Sequence, residues 1–256
     1  MKPNRIRQIW AEDGCALTAF LSLPSPFAAE IMASQGYDAL TVDLQHGVVD
    51  YMTAVGIFQA MASQGVMPMA RIEWLDPMYI MKILDAGAYG VICPMINTAE
   101  DAERLVSYTR YPPDGMRSYG PGRALFSAGA DYREHCSEEV LTFAMIETAE
   151  AMNNLENIAQ TPGIDALYVG PADLTMALTG NKYRAGFDRE EPEIIEAVRH
   201  IVGVAHSKGI RAALHCGSAE YALKARSWGY NMVTVSNDVR FMAGAAATSV
   251  RTFRRG

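Results

Sequence analysis

Two carboxylates stand where apolar runs surface. Glu147 closes Phe143-Ala144-Met145-Ile146-Glu147-Thr148, and Asp173 follows Tyr168-Val169-Gly170-Pro171-Ala172. An unpaired carboxylate is poor packing material, because desolvating it costs several kcal/mol or more. Two of them on neighbouring segments suggest an oxygen-rich site for a hard divalent cation such as Mg, Mn, Co or Zn. Such an ion could chelate a 2-oxo acid and, as a Lewis acid, make its adjacent C–H acidic. Within Asp43-Leu44-Gln45-His46-Gly47, His46 is suited to proton transfer near neutrality. Asp43 or Asp85 could orient it, and Arg71 could stabilise a developing oxyanion. The amides of Ala172 to Leu174, after Gly170-Pro171, open a short helix suited to a substrate carboxylate.

These residues need a scaffold that delivers strand ends to one face. Strand-like runs are expected at Ala16 to Leu23, Asp38 to Asp43, Met67 to Arg71, Val91 to Pro94, Leu141 to Ile146, Ala166 to Val169, Ile210 to Leu214 and Met232 to Val235. Helices are expected at Pro26 to Gln35, Asp50 to Ser63, Asp76 to Ala86, Thr98 to Thr109, and about 148–160, 191–207, 218–227 and 237–252. Asp76-Pro77 is a good helix start, since Asp caps and Pro fits the first turn. Near-continuous apolar strands alternating with helices argue a parallel sheet covered on both sides. A (β/α)8 barrel takes about 250 residues, so the α/β class and a TIM barrel in a single domain, residues 1–256, follow. No GxGxxG succeeds the first strand, which weakens a Rossmann sheet.

Two segments interrupt the rhythm. Tyr111 to Glu139 shows no clear helix, and Thr179 to Glu191 is a shorter polar insertion. Both are expected on the face where strands end, where Arg117 and Arg123 would meet an acidic aldehyde and Phe126 with Tyr132 would form an apolar lid.

Composition excludes other classes. With 22 basic and 29 acidic residues the net charge is -7, and no basic tract precedes the Arg-Thr-Phe-Arg-Arg end, so nucleic acid is not expected as a partner. No run approaches the roughly 20 apolar residues of a membrane span, and the N-terminus lacks a signal-peptide core. Cys15, Cys93, Cys136 and Cys216 are scattered without CxxC spacing, as expected of buried thiols in a reducing cytoplasm.

Taken singly, each candidate has an ordinary reading. Asp43 and His46 fit a loop, Arg71 a rim ion pair, Glu147 and Asp173 helix N-terminal acids, and His215 with Cys216 strand-end packing. Together they resemble one family. Thr41-Val42-Asp43-Leu44-Gln45-His46, Ala70-Arg71, Lys82-Ile83-Leu84-Asp85-Ala86-Gly87-Ala88, Tyr111-Pro112-Pro113-Asp114-Gly115-Met116-Arg117, Ile146-Glu147-Thr148 and Gly170-Pro171-Ala172-Asp173-Leu174 are similar to the HpcH/HpaI aldolases, closest to the hydroxyketoacid aldolase branch. The resemblance runs from about residue 16 to 245.

It implies a metal-dependent class II aldolase that cleaves 4-hydroxy-2-oxo acids reversibly to pyruvate, or hydroxypyruvate, and an aldehyde. It assigns the metal to Glu147 and Asp173, the base to His46 and the oxyanion to Arg71. Asp85 matches an acid that reaches a neighbouring subunit's histidine. A homo-hexamer, a trimer of dimers with exchanged C-terminal helices, is implied. Many members carry Gln where this chain has Met145, which cannot donate a hydrogen bond to the oxo acid. The competing readings are a Schiff-base aldolase, for which Lys2, Lys82, Lys182, Lys208 and Lys224 are badly placed, a CoA-thioester lyase of the citryl/malyl-CoA type, and a non-catalytic metal-binding barrel.

Overall fold

The strand segments are short runs of small and branched apolar residues, and burial on both faces is what permits such unalternating sequences. In the computed structural model every residue of Leu141–Ile146 is buried. Residues 1–180 and 182–255 are described. Asn181, in the expected insertion, and Gly256, at the end of the expected domain 1–256, lie outside the described residues. The strands are β1 (Ala16–Leu21), β2 (Ala39–Asp43), β3 (Met67–Arg71), β4 (Gly90–Cys93), β5 (Leu141–Ile146), β6 (Ala166–Val169), β7 (Arg211–Cys216) and β8 (Met232–Asn237). All pair in parallel and in chain order, and β8 closes on β1 into a barrel. This is the expected (β/α)8 architecture.

Local chemistry sets the helix starts. Asp76 caps its helix through the amide of Met78 at 2.7 Å, with Pro77 in the first turn. Thr98 and Asp101 form a reciprocal capping box. Apolar side chains fill two layers, one between barrel and helices around Leu40, Ile57, Val91 and Ile201, the other inside the barrel around Phe20, Met69, Phe143 and Tyr168.

The strands' N-terminal end is stoppered by the helix Arg5–Ala11, which the sequence reading did not anticipate. Ile6 and Trp10 are buried there, and the Trp10 indole donates to Asn231 O at 2.8 Å. No helix among the described residues is long and apolar enough to cross a membrane.

Several boundaries differ from expectation. β1 ends at Leu21 because the amides of Ser22 and Leu23 turn to the Asp238 carboxylate, at 2.9 and 3.1 Å. β7 extends to Cys216, so His215 is a strand residue. The helix expected at 148–160 breaks at Asn154, whose side chain donates to Asn97 O at 2.9 Å. The segment Tyr111 to Glu139 contains helices Ala124–Ser127 and Tyr132–Glu139, contrary to expectation. It also follows a helix and precedes β5, which places it at the N-terminal end of the barrel rather than the strand-end face. Its contacts agree: Lys2 N–H bonds Ala128 O at 2.7 Å, and the N-terminal ammonium pairs with Asp131.

Candidate active site

The parallel register of β2 and β3 sets Asp43 beside Arg71. Arg71 donates to both carboxylate oxygens of Asp43, from Nε at 2.9 Å and from Nη2 at 2.7 Å, a bidentate grip that fixes the guanidinium plane. Asp43 Oδ1 also accepts the backbone N–H groups of Gln45 and His46, at 3.3 and 3.2 Å. The carboxylate therefore shapes the loop bearing His46 but does not touch its imidazole. Gly47 completes the turn so tightly that a Cβ would strike Asp43 O and the Ser22 Cα.

Glu147 lies just past β5 and is 2% exposed. Its Oε1 accepts from Met95 N–H at 2.9 Å, and Met95 is held at φ 56°, a conformation uncommon for a side-chain-bearing residue. Burial pushes the Glu147 carboxyl up to about 7; the Met95 amide opposes this and the nearby Asp173 adds to it. A Cβ on Gly170 would strike Glu147 Oε2 and come within 2.6 Å of Met145 Cε, so a larger residue there would displace both side chains. Asp173 sits exposed in the first turn of helix Pro171–Thr179.

These elements enclose a cavity of about 430 Å3 at the strands' C-terminal end. Asp43, His46 and Arg71 line one side, and Met145 with Gly170, Pro171, Ala172 and Asp173 another. Glu147 lies beneath that wall. The donor set suits a divalent cation: two carboxylates converge electrostatically, and the buried one is driven towards its protonated form unless a cation compensates it. Among the described residues no third His, Cys, Asp or Glu joins them, so remaining coordination positions would fall to water and substrate oxygens.

Other expected residues are placed elsewhere. The Leu174 side chain packs in the core, and its N–H is spent on Gly170 O at 3.1 Å, leaving the amides of Ala172 and Asp173 for a ligand. Asp85, Arg117 and Arg123 do not line the cavity. Arg117 is 1% exposed and bonds Asp85 at 2.7 Å and Tyr132 OH at 3.0 Å, with its guanidinium over the Tyr111 ring at 4.5 Å. Arg123 donates to Ala86 O at 2.6 Å. The expected lid is not formed: Tyr132 is core, and Phe126 is exposed away from the cavity. Asp85 ends helix Pro77–Asp85 at the opposite end of this barrel, so it cannot orient His46 of its own chain.

Sequence reasoning missed the rest of the wall: Phe20, Ser22, Val48, Phe187, Asn237, Val239 and Arg240. Phe187 was signalled only by its position in the insertion, and Arg240 by following a strand end. His215 stacks on Phe187 with centroids 4.4 Å apart, and its Nδ1 is 3.2 Å from Tyr168 OH, which lies 2.7 Å from Thr234 Oγ1. Its Nε2 is buried with no partner among the described residues. Burial first, then the charge of Arg71, pushes the imidazole down to about 3, with Asp43 opposing, so His215 is neutral.

The family model described as HpcH/HpaI aldolase/citrate lyase matches residues 17–245. The chain is 38% identical over 243 residues to a hydroxypyruvate/pyruvate aldolase of Rhizorhabdus wittichii, covering 95% of this chain and 96% of that protein. It is 35% identical over 231 residues to a hydroxypyruvate/pyruvate aldolase of Chromohalobacter salexigens, covering 89% of each. The crystal structure of a HpcH/HpaI aldolase/citrate lyase family protein from Burkholderia cenocepacia superposes with a TM-score of 0.89 at 30% identity, over 98% of this chain and 99% of that one.

Proposed function

The chain belongs to the HpcH/HpaI aldolase/citrate lyase family, and from that premise we propose that it catalyses reversible, metal-dependent aldol cleavage of 4-hydroxy-2-oxo acids to pyruvate or hydroxypyruvate plus an aldehyde. The observation that carries the reading is the buried Glu147 carboxylate, within electrostatic reach of Asp173, beside a cavity lined by His46 and Arg71. Glu147 and Asp173 would hold the ion, with Mg, Mn, Co and Zn all suited to two carboxylates and water. When bound, it supplies Lewis acidity that acidifies the C–H beside a 2-oxo group.

The protein's own groups do the rest. The amides of Ala172 and Asp173, at a helix N-terminus, bind the substrate carboxylate. Arg71, its plane locked by Asp43, presents its remaining N–H groups to the oxyanion that develops as carbon–carbon bonds break or form. His46, exposed on the cavity with its ring clear of Asp43, carries the proton between the methyl carbon of pyruvate, or the aldol hydroxyl, and solvent. Met145 contributes an apolar contact where a positioning amide is expected, so orientation of the oxo acid falls to the helix amides and Arg71.

The assembly reading is a homo-hexamer. In one chain the residues after Asp238 in helix Asp238–Arg255 are exposed, with Phe241, Met242, Val250 and Phe253 among its uncovered apolar side chains. Such a surface needs a partner. Asp85, remote from its own His46, would then serve a neighbouring copy's site, with Arg117 holding it. Sedimentation measurements test this, a monomer overturning it. The four free thiols suit a cytoplasmic setting.

The decisive experiment pairs pyruvate and hydroxypyruvate with a panel of aldehydes, with and without added divalent metal. Metal-dependent product formation is expected. Activity that survives thorough chelation, or a borohydride-trapped adduct on a lysine, refutes the reading. Release of acetyl-CoA from a CoA thioester would favour the lyase alternative.

A further inference from the structure

Charge along the cavity is unevenly neutralised. Arg71 is held bidentate by Asp43, so this pair contributes little net field. Burial keeps His215 neutral although it forms part of the wall. Asp173, on the opposite side, belongs to the cation site. Within one chain, Arg240 is the remaining charged lining residue. No carboxylate among the described residues lies within ion-pair distance of it.

Arg240 is nevertheless held in place. Its N–H donates to Asn237 Oδ1 at 2.8 Å, which fixes the first turn of helix Asp238–Arg255 against the end of β8. Its guanidinium lies over the Phe187 ring, 5.0 Å from the centroid. Phe187 is itself clamped between that cation and the His215 imidazole. The insertion holds it there through two contacts: Asp188 Oδ1 accepts Gly217 N–H at 2.6 Å, and Tyr221 OH donates to Arg189 O at 2.6 Å. Asp188 adopts φ 54°, a strained conformation that these contacts maintain.

We propose that Arg240, backed by Phe187 and His215, forms an acceptor subsite that selects aldehydes carrying a distal anionic group, a carboxylate or a phosphate. The proposal rests on the aldolase reading. With the oxo acid at the carboxylates and the helix amides, the aldehyde's reacting carbon must lie near His46 and Arg71. Its far end then projects along the wall formed by His215, Phe187 and Arg240. A flat aromatic wall ending in an unneutralised guanidinium fits a short chain with a terminal anion, which a planar fork can bind through two N–H groups. A neutral acceptor gains only the apolar wall. Arg240 is a specificity residue here and handles no proton.

The test measures kcat/KM for aldol addition by metal-loaded enzyme with two matched acceptor pairs: succinic semialdehyde against pentanal, and glyceraldehyde 3-phosphate against glyceraldehyde. The anionic-to-neutral ratio is expected to fall about tenfold or more in Arg240→Ala for at least one pair, and Arg240→Lys to keep only part of it, because the ammonium retains the charge but not the fork. A fall confined to one pair identifies the anion, carboxylate or phosphate, for which the subsite is built. A ratio unchanged within about twofold in both pairs overturns the proposal, because a merely structural role for Arg240 lowers both members of a pair together. Metal-dependent exchange of pyruvate methyl protons with deuterated water by the wild-type enzyme separates the two readings. Exchange with an unchanged ratio sinks the subsite alone; absence of exchange sinks both.

Discussion

The two ends of this barrel use similar residue types to opposite effect. At the N-terminal end, the charged side chains are paired, although Nε of Arg7 and Arg117 is left over among the described residues: Arg7 bonds Asp165 and Arg117 bonds Asp85, while Asn4 bonds Tyr89 O and Glu139, and Trp10 bonds Asn231 O. At the C-terminal end, Glu147 is buried near another carboxylate, and among the described residues His46 has a free ring, Arg240 has no carboxylate, and His215 Nε2 has no partner. Paired groups in a sealed end stabilise a fold. Unpaired ones around a cavity carry an unfavourable term that ligands relieve. The contrast separates residues kept for stability from residues kept for chemistry.

The most forceful way to break the comparison is at the cation site. Glu147→Gln or Asp173→Asn should lose metal affinity in calorimetric titration and catalytic activity together, the latter by about a thousandfold or more. His46→Ala should retain the metal while deuterium exchange into pyruvate falls about 100- to 10,000-fold. A metal-free but fully active Glu147→Gln would erase the distinction between the two ends.

Next comes the sealed end. Trp10→Ala removes a buried indole and its hydrogen bond, and should lower unfolding free energy by about 3–5 kcal/mol in urea titration. A loss below about 1 kcal/mol would show that the stopper is not structural.

The third effect depends on pH. The folded carboxyl of Glu147 is pushed up to about 7 from an ordinary value of 4.5. The metal-free native state therefore holds a proton that the unfolded chain has released, and stability falls as pH rises through that window. The stability advantage of metal-free Glu147→Gln over metal-free wild type should widen between about pH 5 and 8, by up to about 3 kcal/mol. Saturating metal should abolish the trend. An advantage independent of pH would place the carboxylate in a solvated setting.

The smallest effect lies inside the barrel. Tyr168→Phe should cost about 1–2 kcal/mol, because His215 Nδ1 and Thr234 both lose their partner.

Much of this was legible in the sequence. All eight strands and the polar cluster of Asp43, His46, Arg71, Glu147 and Asp173 could be placed, because strand ends in a barrel share one face whatever the loops do. The segment from Tyr111 to Glu139 was misplaced. Its Pro-Pro-Asp-Gly turn signals masked two short helices, and its position after a helix, which fixes its end of the barrel, was overlooked. Arg117 illustrates a deeper limit, since only tertiary packing with Tyr111, Tyr132 and Asp85 shows that this cation is buried. Arg240 was hidden differently. Its helix reads as ordinary and amphipathic, and only the bend after β8 brings its first turn over the cavity.

That bend has a consequence for how the enzyme can diversify. Asp238 fastens the last strand to the first by accepting the amides of Ser22 and Leu23, so the barrel's seam is locked one residue before the selectivity wall begins. Positions 239 and 240 hang from that lock without forming it. Replacing them exchanges the acceptor preference like a detachable head on a fixed handle. Libraries confined to these positions and to Phe187 should therefore yield altered aldehyde scope with the seam intact.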